Sequence, residues 1–228
     1  MKSKPSISYS LWDSSPDKKA LELKSETQKK QSELWLAVHL PRLALEIITL
    51  EDRSRPLVII EEIKSKQFVY IASHAAEQLG IYPGMSLSAA YALHSNLQTR
   101  AISPLVQQQR LQHLANWALQ FSPRISLHPP CSFLMEIGGS IKYFGKLEII
   151  QKQISDALEN RWKHDYFLAV SPTPVASLLL AKSGKQTVVD DIAGLRSALG
   201  GLSISLLPLD EKRKRQLSKT GVRVLRDL

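Results

Sequence analysis

The sequence holds one cysteine, Cys131, in 228 residues. That excludes an internal disulfide framework and a multi-cysteine metal cluster, and it predicts a reducing, cytoplasmic home. No apolar run reaches the ~18 residues that a membrane span needs. Residues Met1 to Ser32 carry no apolar core of the kind a secretory signal has. No internal repeat is visible. Acids are the scarcer charge: 21 Asp and Glu against 30 Lys and Arg leave +9. Hydrophobic residues at 43% and charged residues at 22% are ordinary globular composition, so most of the chain can bury a core.

The basic excess is uneven. Residues 1–33 carry seven Lys against five acids, or +2, and residues 208–228 carry seven basics against three acids, or +4. The 174 residues between them hold the remaining +3. Lys212-Arg213-Lys214-Arg215 is the one dense run, and it reads either as a solvated helix face or as a nucleic-acid contact.

Residues 1–33 are rich in Ser, Lys and Gln and read as a flexible tail. Leu34 to Leu40 is a short apolar run stopped by Pro41, a buried strand. Leu57–Ile60 and Gln67–Ile71 predict two more strands, and Ser73–Leu79 a short helix closed by Gly80. Pro83-Gly84 is a turn, and Ser86–Leu93 a helix with Leu87, Ala90 and Tyr91 on one stripe. From Pro104 to Phe121 the apolar positions Leu111, Leu114, Ala115, Ala118 and Leu119 keep helical spacing. Trp117 and Trp162 fall on amphipathic helices, where packing is the default. Arg124–Leu127 and Ser132–Ile137 read as strands around Pro129-Pro130, the second ended by Gly138-Gly139. Leu147, Ile150, Ile154 and Leu158 mark another helix, and Tyr166–Val170 a strand. Ser171-Pro172 reads as an N-cap with proline at the first helical position, opening a helix to Ser183. Thr187–Val189 is a last strand, before a basic helical segment from Asp191. Without the inserted segment the order is β-α-β-β-α-β, an α+β ferredoxin-like layer with two helices on one sheet face.

Several segments together resemble the Y-family DNA polymerases. They are Trp35–Glu46, Ser54-Arg55-Pro56-Leu57-Val58, Ile71–Ile81 with Pro83–Leu87, Phe121-Ser122-Pro123, Ser132–Ser140, Val170–Lys185 and Leu217–Leu228. The resemblance divides the chain into a tail (1–33), a palm (34–42 and 103–190), inserted fingers (43–102) and a partial helix-hairpin-helix-like thumb (191–228). Leu36–Pro41, Pro129-Pro130, Leu134–Ser140 and Ser171-Pro172-Thr173-Pro174 narrow the resemblance to the ImuB branch, and against that branch the chain reads as C-terminally short.

The family's metal-binding carboxylates align here with Ala37, His39, Cys131 and Ser132. Mg²⁺ is hard and takes carboxylate oxygen, whereas His and Cys are softer ligands. The resemblance therefore implies no catalytic residue, no metal, no cofactor and no enzyme. Glu136 is no substitute, because four residues along a strand is roughly 13 Å. Glu46 matches a structural glutamate. His39 and Cys131 are expected to lie together as a packed polar pair, since a zinc site needs about four ligands. The positions matching the family's triphosphate-binding residues are Ile71, His74 and Glu77, and Lys185 is the cation left to reach a phosphate. Arg42 takes the steric-gate position, facing either DNA or an acid in the fingers.

Thr220-Gly221-Val222 has the form of a hairpin turn whose backbone N–H groups meet phosphate. Lys212, Arg213, Lys214, Arg215, Lys219, Arg223 and Arg226 surround it, predicting weak, sequence-blind, salt-sensitive DNA binding. The implied role is a non-catalytic accessory of translesion synthesis in DNA repair and SOS-type damage-induced mutagenesis. Its implied partners are damaged or primer–template DNA, an error-prone polymerase, a RecA-related protein and a sliding clamp, although no clamp-binding segment is visible. No membrane is implied; the implied location is a bacterial cytoplasm, with the nucleoid when DNA-bound. Two other readings stay open: an active error-prone translesion polymerase, and a truncated remnant without function.

Overall fold

The structure is a computed structural model, and it describes residues 33–48 and 55–228. The expected tail, apart from Glu33, and Ser54 lie outside the described residues.

The described chain begins with β1 (Trp35–His39) and the short α1 (Leu43–Glu46). The inserted segment follows as β2 (Leu57–Ile63), β3 (Lys66–Ala72), α2 (His74–Gln78), α3 (Leu87–Leu93) and β4 (Gln98–Ala101). Next come α4 (Pro104–Ala118), β5 (Ile125–His128), β6 (Ser132–Glu136), α5 (Gly138–Phe144) and α6 (Leu147–Asp156), which runs on into a π-helical turn, Ala157–Arg161. The chain closes with β7 (Phe167–Ser171), α7 (Pro174–Lys182), β8 (Thr187–Val188), α8 (Ile192–Gly200), a 3₁₀ turn Ile204–Leu206, α9 (Glu211–Lys219) and a last 3₁₀ turn Leu225–Asp227.

The main sheet has the strand order β5-β6-β1-β7-β8. β1 lies antiparallel between β6 and β7, β5 pairs antiparallel with β6, and β8 adds a parallel edge to β7. The first four strands are the ferredoxin-like order that the sequence predicts. β1 is apolar on both sides because both sheet faces are covered. Leu36 and Val38 join Leu111, Leu114, Ala118, Ile150, Ile154 and Phe133 in one core. Ala37 joins Leu134, Ala169, Leu179, Leu180 and Leu202 in a second. The two-helices-on-one-face expectation is thus incomplete. α7 covers the other face, and its run Leu178-Leu179-Leu180-Ala181 gives it the apolar surface to do so.

The inserted segment forms its own three-stranded sheet, β3-β2-β4, with β2 antiparallel to β3 and parallel to β4. Ser73 caps α2 by accepting from Ala76 N–H at 3.3 Å, and its oxygen also accepts from Leu57 N–H at 3.0 Å. Serine before a short helix does this because its oxygen reaches the unsatisfied first-turn donors.

Several local expectations are corrected. The cap of α7 is Thr173, which accepts from Ala176 N–H at 3.4 Å, with Pro174 opening the helix. Ser171 stays in β7 opposite Trp35, so the second of two Xaa-Pro pairs starts the helix. Gly138-Gly139 ends β6 but also opens α5, where Gly138 N–H donates to Glu136 Oε1 at 2.8 Å. β4 went unanticipated because Gln98-Thr99-Arg100-Ala101 carries no apolar pattern; its pairing with β2 makes it a strand. Leu119 falls just past the end of α4 and is 51% exposed. Trp117 and Trp162 do pack, edge to face at 4.6 Å.

Candidate nucleic-acid site

The C-terminal end of β1 places His39, Ser132 and His128 in one cross-strand row, since His39 pairs with Ser132 and Ser132 with His128. His39 Nδ1 and Ser132 Oγ are hydrogen-bonded at 2.8 Å, and Cys131 Sγ lies 3.7 Å from the same nitrogen. The expected His39–Cys131 pair is present, with Ser132 as its closer partner. Burial, with the Lys182 charge as a second cause, lowers His39 to about 4. Burial raises the Cys131 thiol, against the opposing pull of Lys182 and of a hydrogen bond to Ser132. His128 is lowered by burial and then by Lys182.

Lys182, at the end of α7, is therefore the cation that acts on this row. Lys185 is exposed. The sequence signal for Lys182 was its position directly after the apolar run that packs on β1. Ala37 is fully buried, with its methyl in the cluster beneath α7. Among the described residues, no group of three or more His, Cys, Asp or Glu is placed to hold a metal ion. A methyl, an imidazole, a thiol and a hydroxyl beside an ammonium do not fit a hard divalent cation.

At the junction of inserted segment and main sheet, Arg42 turns to acid. Its Nη2 donates to both oxygens of Glu77 at 2.9 and 2.8 Å, and its Nη1 to Ala72 O at 2.9 Å. Asp165 lies 3.4 Å from Arg42 Nε. His74 sits between the two acids, 3.3 Å from Glu77 and 3.7 Å from Asp165. Of the two roles open to Arg42, the ion pair is the one formed. The Glu77 carboxylate is thereby held on a guanidinium, both of its oxygens meeting the single nitrogen Nη2. Ile71 packs instead against the cluster of Leu45, Leu57 and Ile59.

Behind this junction Glu46 is buried, as its match to a structural glutamate implied. It accepts from His164 Nδ1–H at 2.6 Å and from Asp165 N–H at 2.7 Å. His164 Nε2 lies 3.2 Å from Arg110 Nε and 3.1 Å from Arg110 Nη2. A guanidinium only donates, so Nε2 accepts and the ring proton sits on Nδ1. His164, Asp165 and Arg110 were missed in the sequence, where nothing marks residues 46, 110 and 164 as neighbours.

The basic run lies on α9. Asp210 caps that helix, accepting from Arg213 N–H at 2.7 Å, and its carboxylate also lies 3.3 Å from Arg213 Nε. Lys212, Arg215 and Lys219 are exposed, Lys214 is half-buried, and Gly221 has φ +89° directly after the helix. Arg223 is exposed, and its backbone N–H donates to Asp227 Oδ2 at 3.1 Å. Among the described residues, no helix is long and apolar enough to cross a membrane.

A doubly covered ferredoxin-like sheet, with a small sheet inserted after β1 and a basic helical end, is a combination that can be compared with known proteins. The sequence pattern of the impB/mucB/samB family matches residues 44–182. The chain belongs to that family. Protein ImuB from two strains of Caulobacter vibrioides is 24% identical over 144 residues, which is 63% of this chain and 31% of the relative. The chain thus spans about a third of the length of these relatives. Among solved structures it is similar to DinB from Sulfolobus solfataricus (TM-score 0.65, 17% identity) and to the insertion ternary complex of Dbh DNA polymerase (TM-score 0.68, 17% identity). Each similarity covers 85% of this chain and 59% of the other.

These matches show the Y-family polymerase fold and a family tied to ImuB. They also correct one expectation. The absence of aligned carboxylates implied that the chain is not an enzyme, yet the solved structures that share its fold include DNA polymerases. A few side chains at one strand end leave sheet order, insertion and helix packing unchanged, and so do not separate this chain from that group.

Proposed function

We propose that this member of the impB/mucB/samB family acts in DNA damage-induced mutagenesis, as a polymerase-like accessory of translesion synthesis that engages primer–template DNA. The observation that carries the reading is the family match over residues 44–182, laid on a sheet and insertion like those of Dbh DNA polymerase. The cations of α9 supply sequence-independent attraction for a phosphate backbone. On this reading its partners are damaged or primer–template DNA, an error-prone polymerase, a RecA-related protein and a sliding clamp. It works in the cytoplasm, on the nucleoid when DNA-bound. Removing the gene should lower the frequency of mutations induced by ultraviolet damage, and returning the chain should restore it. An unchanged frequency would overturn the reading.

The polymerase neighbours favour a second reading, template-directed synthesis by this chain itself. Primer extension by the purified protein with Mg²⁺ or Mn²⁺ separates the two. Incorporation that follows the template, and that is lost in Lys182→Gln, would select the second.

A further inference from the structure

Among the described residues, no strand ladder crosses the seam between the inserted segment and the rest of the chain. The middle of this seam is apolar and small: Leu45 packs with Leu57 and Ile59, flanked by Tyr70, Ile71 and Ile102. One end is polar. Arg42 donates through Nη1 to Ala72 O and through Nη2 to Glu77, both in the inserted segment, while its Nε lies 3.4 Å from Asp165 on the other side. Asp165 is fixed from behind, since its N–H donates to the buried Glu46. Arg42 follows β1 directly, so it reaches across from the main body.

The other end carries the chain's one thiol. Tyr70, on β3, is hydrogen-bonded to the buried Gln107 of α4. Burial raises the Tyr70 hydroxyl and a charge on Cys131 raises it further, so Cys131 lies near Tyr70 across the seam. The seam is also not filled. A cavity of about 630 Å³ opens beside Arg42, between His74 of the inserted segment and Asp165, Tyr166 and Phe167 of the main body. Only a large apolar interface holds two bodies of one chain rigid; joined by a small patch and a few polar contacts, they move relative to each other.

We propose that the inserted segment is a lid over the Cys131 end of the His39 row, and that Arg42 is its catch. In the closed state the guanidinium spans Glu77 and Asp165, and Tyr70 covers the thiol. On opening, Arg42 keeps Asp165 and gives up Glu77 and Ala72 O. Leu45 parts from Leu57 and Ile59, Tyr70 leaves Gln107, and Cys131 meets solvent. Both sheets stay paired throughout. A catch of hydrogen bonds suits such a motion, because water replaces them when the lid parts, whereas an apolar seam would lose its whole burial. The lid does not depend on the reading that the chain engages DNA.

Because Cys131 is the only cysteine, its labelling reads the lid directly. The whole chain is treated in native buffer with a bulky aromatic disulfide, which exchanges with a free thiol, and the rate is followed by the absorbance of the thiolate released. That rate tracks the open population when closing outpaces labelling. Glu77→Gln should label about tenfold faster, the loss of one charge-assisted contact at a part-exposed pair. Arg42→Gln should label at least as fast, since it gives up Ala72 O as well, and Tyr70→Phe about threefold faster than wild type for one neutral hydrogen bond. Urea separates lid opening from unfolding. A lid exposes little surface, so the wild-type rate should stay nearly flat up to the foot of the unfolding transition. A wild-type rate that climbs with the full slope of global unfolding would overturn the lid. Wild-type labelling rates in both Glu77→Gln and Arg42→Gln would overturn the catch and the lid with it.

Discussion

The junction between the two sheets and the helical C-terminal end use arginine in opposite ways. At the junction Arg42 holds both oxygens of Glu77, and Arg110 lies against a histidine that is itself bound to Glu46. In the C-terminal end Arg213 meets Asp210, whereas Arg215 and Arg223 line a pocket with Lys214 and three serines. The difference teaches that count and position of cations say little until the acids are placed. Arginine faced by carboxylate holds the fold together, and arginine faced by hydroxyl and solvent is available to a ligand.

The sharpest way to break that contrast is at Glu46. Glu46→Ala leaves the Nδ1–H of His164 and the N–H of Asp165 buried without an acceptor. It should cost about 3–5 kcal/mol, read from urea denaturation, while the salt slope of DNA binding stays as in wild type. A cost within about 0.5 kcal/mol of zero would mean that the junction is not held by its acid.

A second, smaller effect distinguishes the junction from the strand end that carries His39. There the fold lowers His39 from 6.5 to about 4 by burial, aided by Lys182. The folded protein then binds fewer protons than the unfolded chain between these values. Stability should fall as pH drops through that window and reach its full loss below about 4. Discounted for the part-exposed ring, the His39 share is about 2 kcal/mol. It is measured as the difference between wild type and His39→Gln in denaturation at pH 7.5 and pH 4. Parallel pH profiles for the two proteins would show that His39 titrates normally.

The smallest effect sharpens the helical end. Gly221→Ala should cost about 1 kcal/mol, because φ +89° suits glycine alone. Its salt slope should be unchanged, since the N–H of Gly221 already serves Ser218. A lower slope in this variant would return phosphate binding to the turn.

How much of this was legible in the sequence depended on range. β1, β6 and β7 with α4 and α6 announce themselves through their apolar residues, and with them the strand order. β4 does not, because a strand of Gln, Thr, Arg and Ala exists only through its pairing with β2. The proximity of His39 to Cys131 and Ser132 followed from aligned strands. The nearness of Lys182 to this row did not follow. It required knowing where α7 ends and that it covers the face bearing Ala37. Glu46, His164 and Arg110 are separated by 118 and 54 positions, and no spacing rule spans such distances. Gly221 shows the remaining kind of difference: it stands in a turn as the sequence predicts, but its N–H and that of Val222 are used by carbonyls of α9.

The inserted segment begins and ends on itself. Gln98 N–H donates to Pro56 O at 3.0 Å and Ile102 N–H to Ile60 O at 2.9 Å, and its three strands share no ladder with the main sheet. Val58, Val69, Ala76, Ile81, Ala90 and Leu97 give it a core of its own. A unit closed in this way can open cooperatively, breaking with its neighbour the Arg42–Glu77 pair and the packing of Leu45 on Leu57 and Ile59. Under hydrogen exchange, the amides of β2, β3 and β4 should share one protection factor, and those of β1, β6 and β7 a higher one.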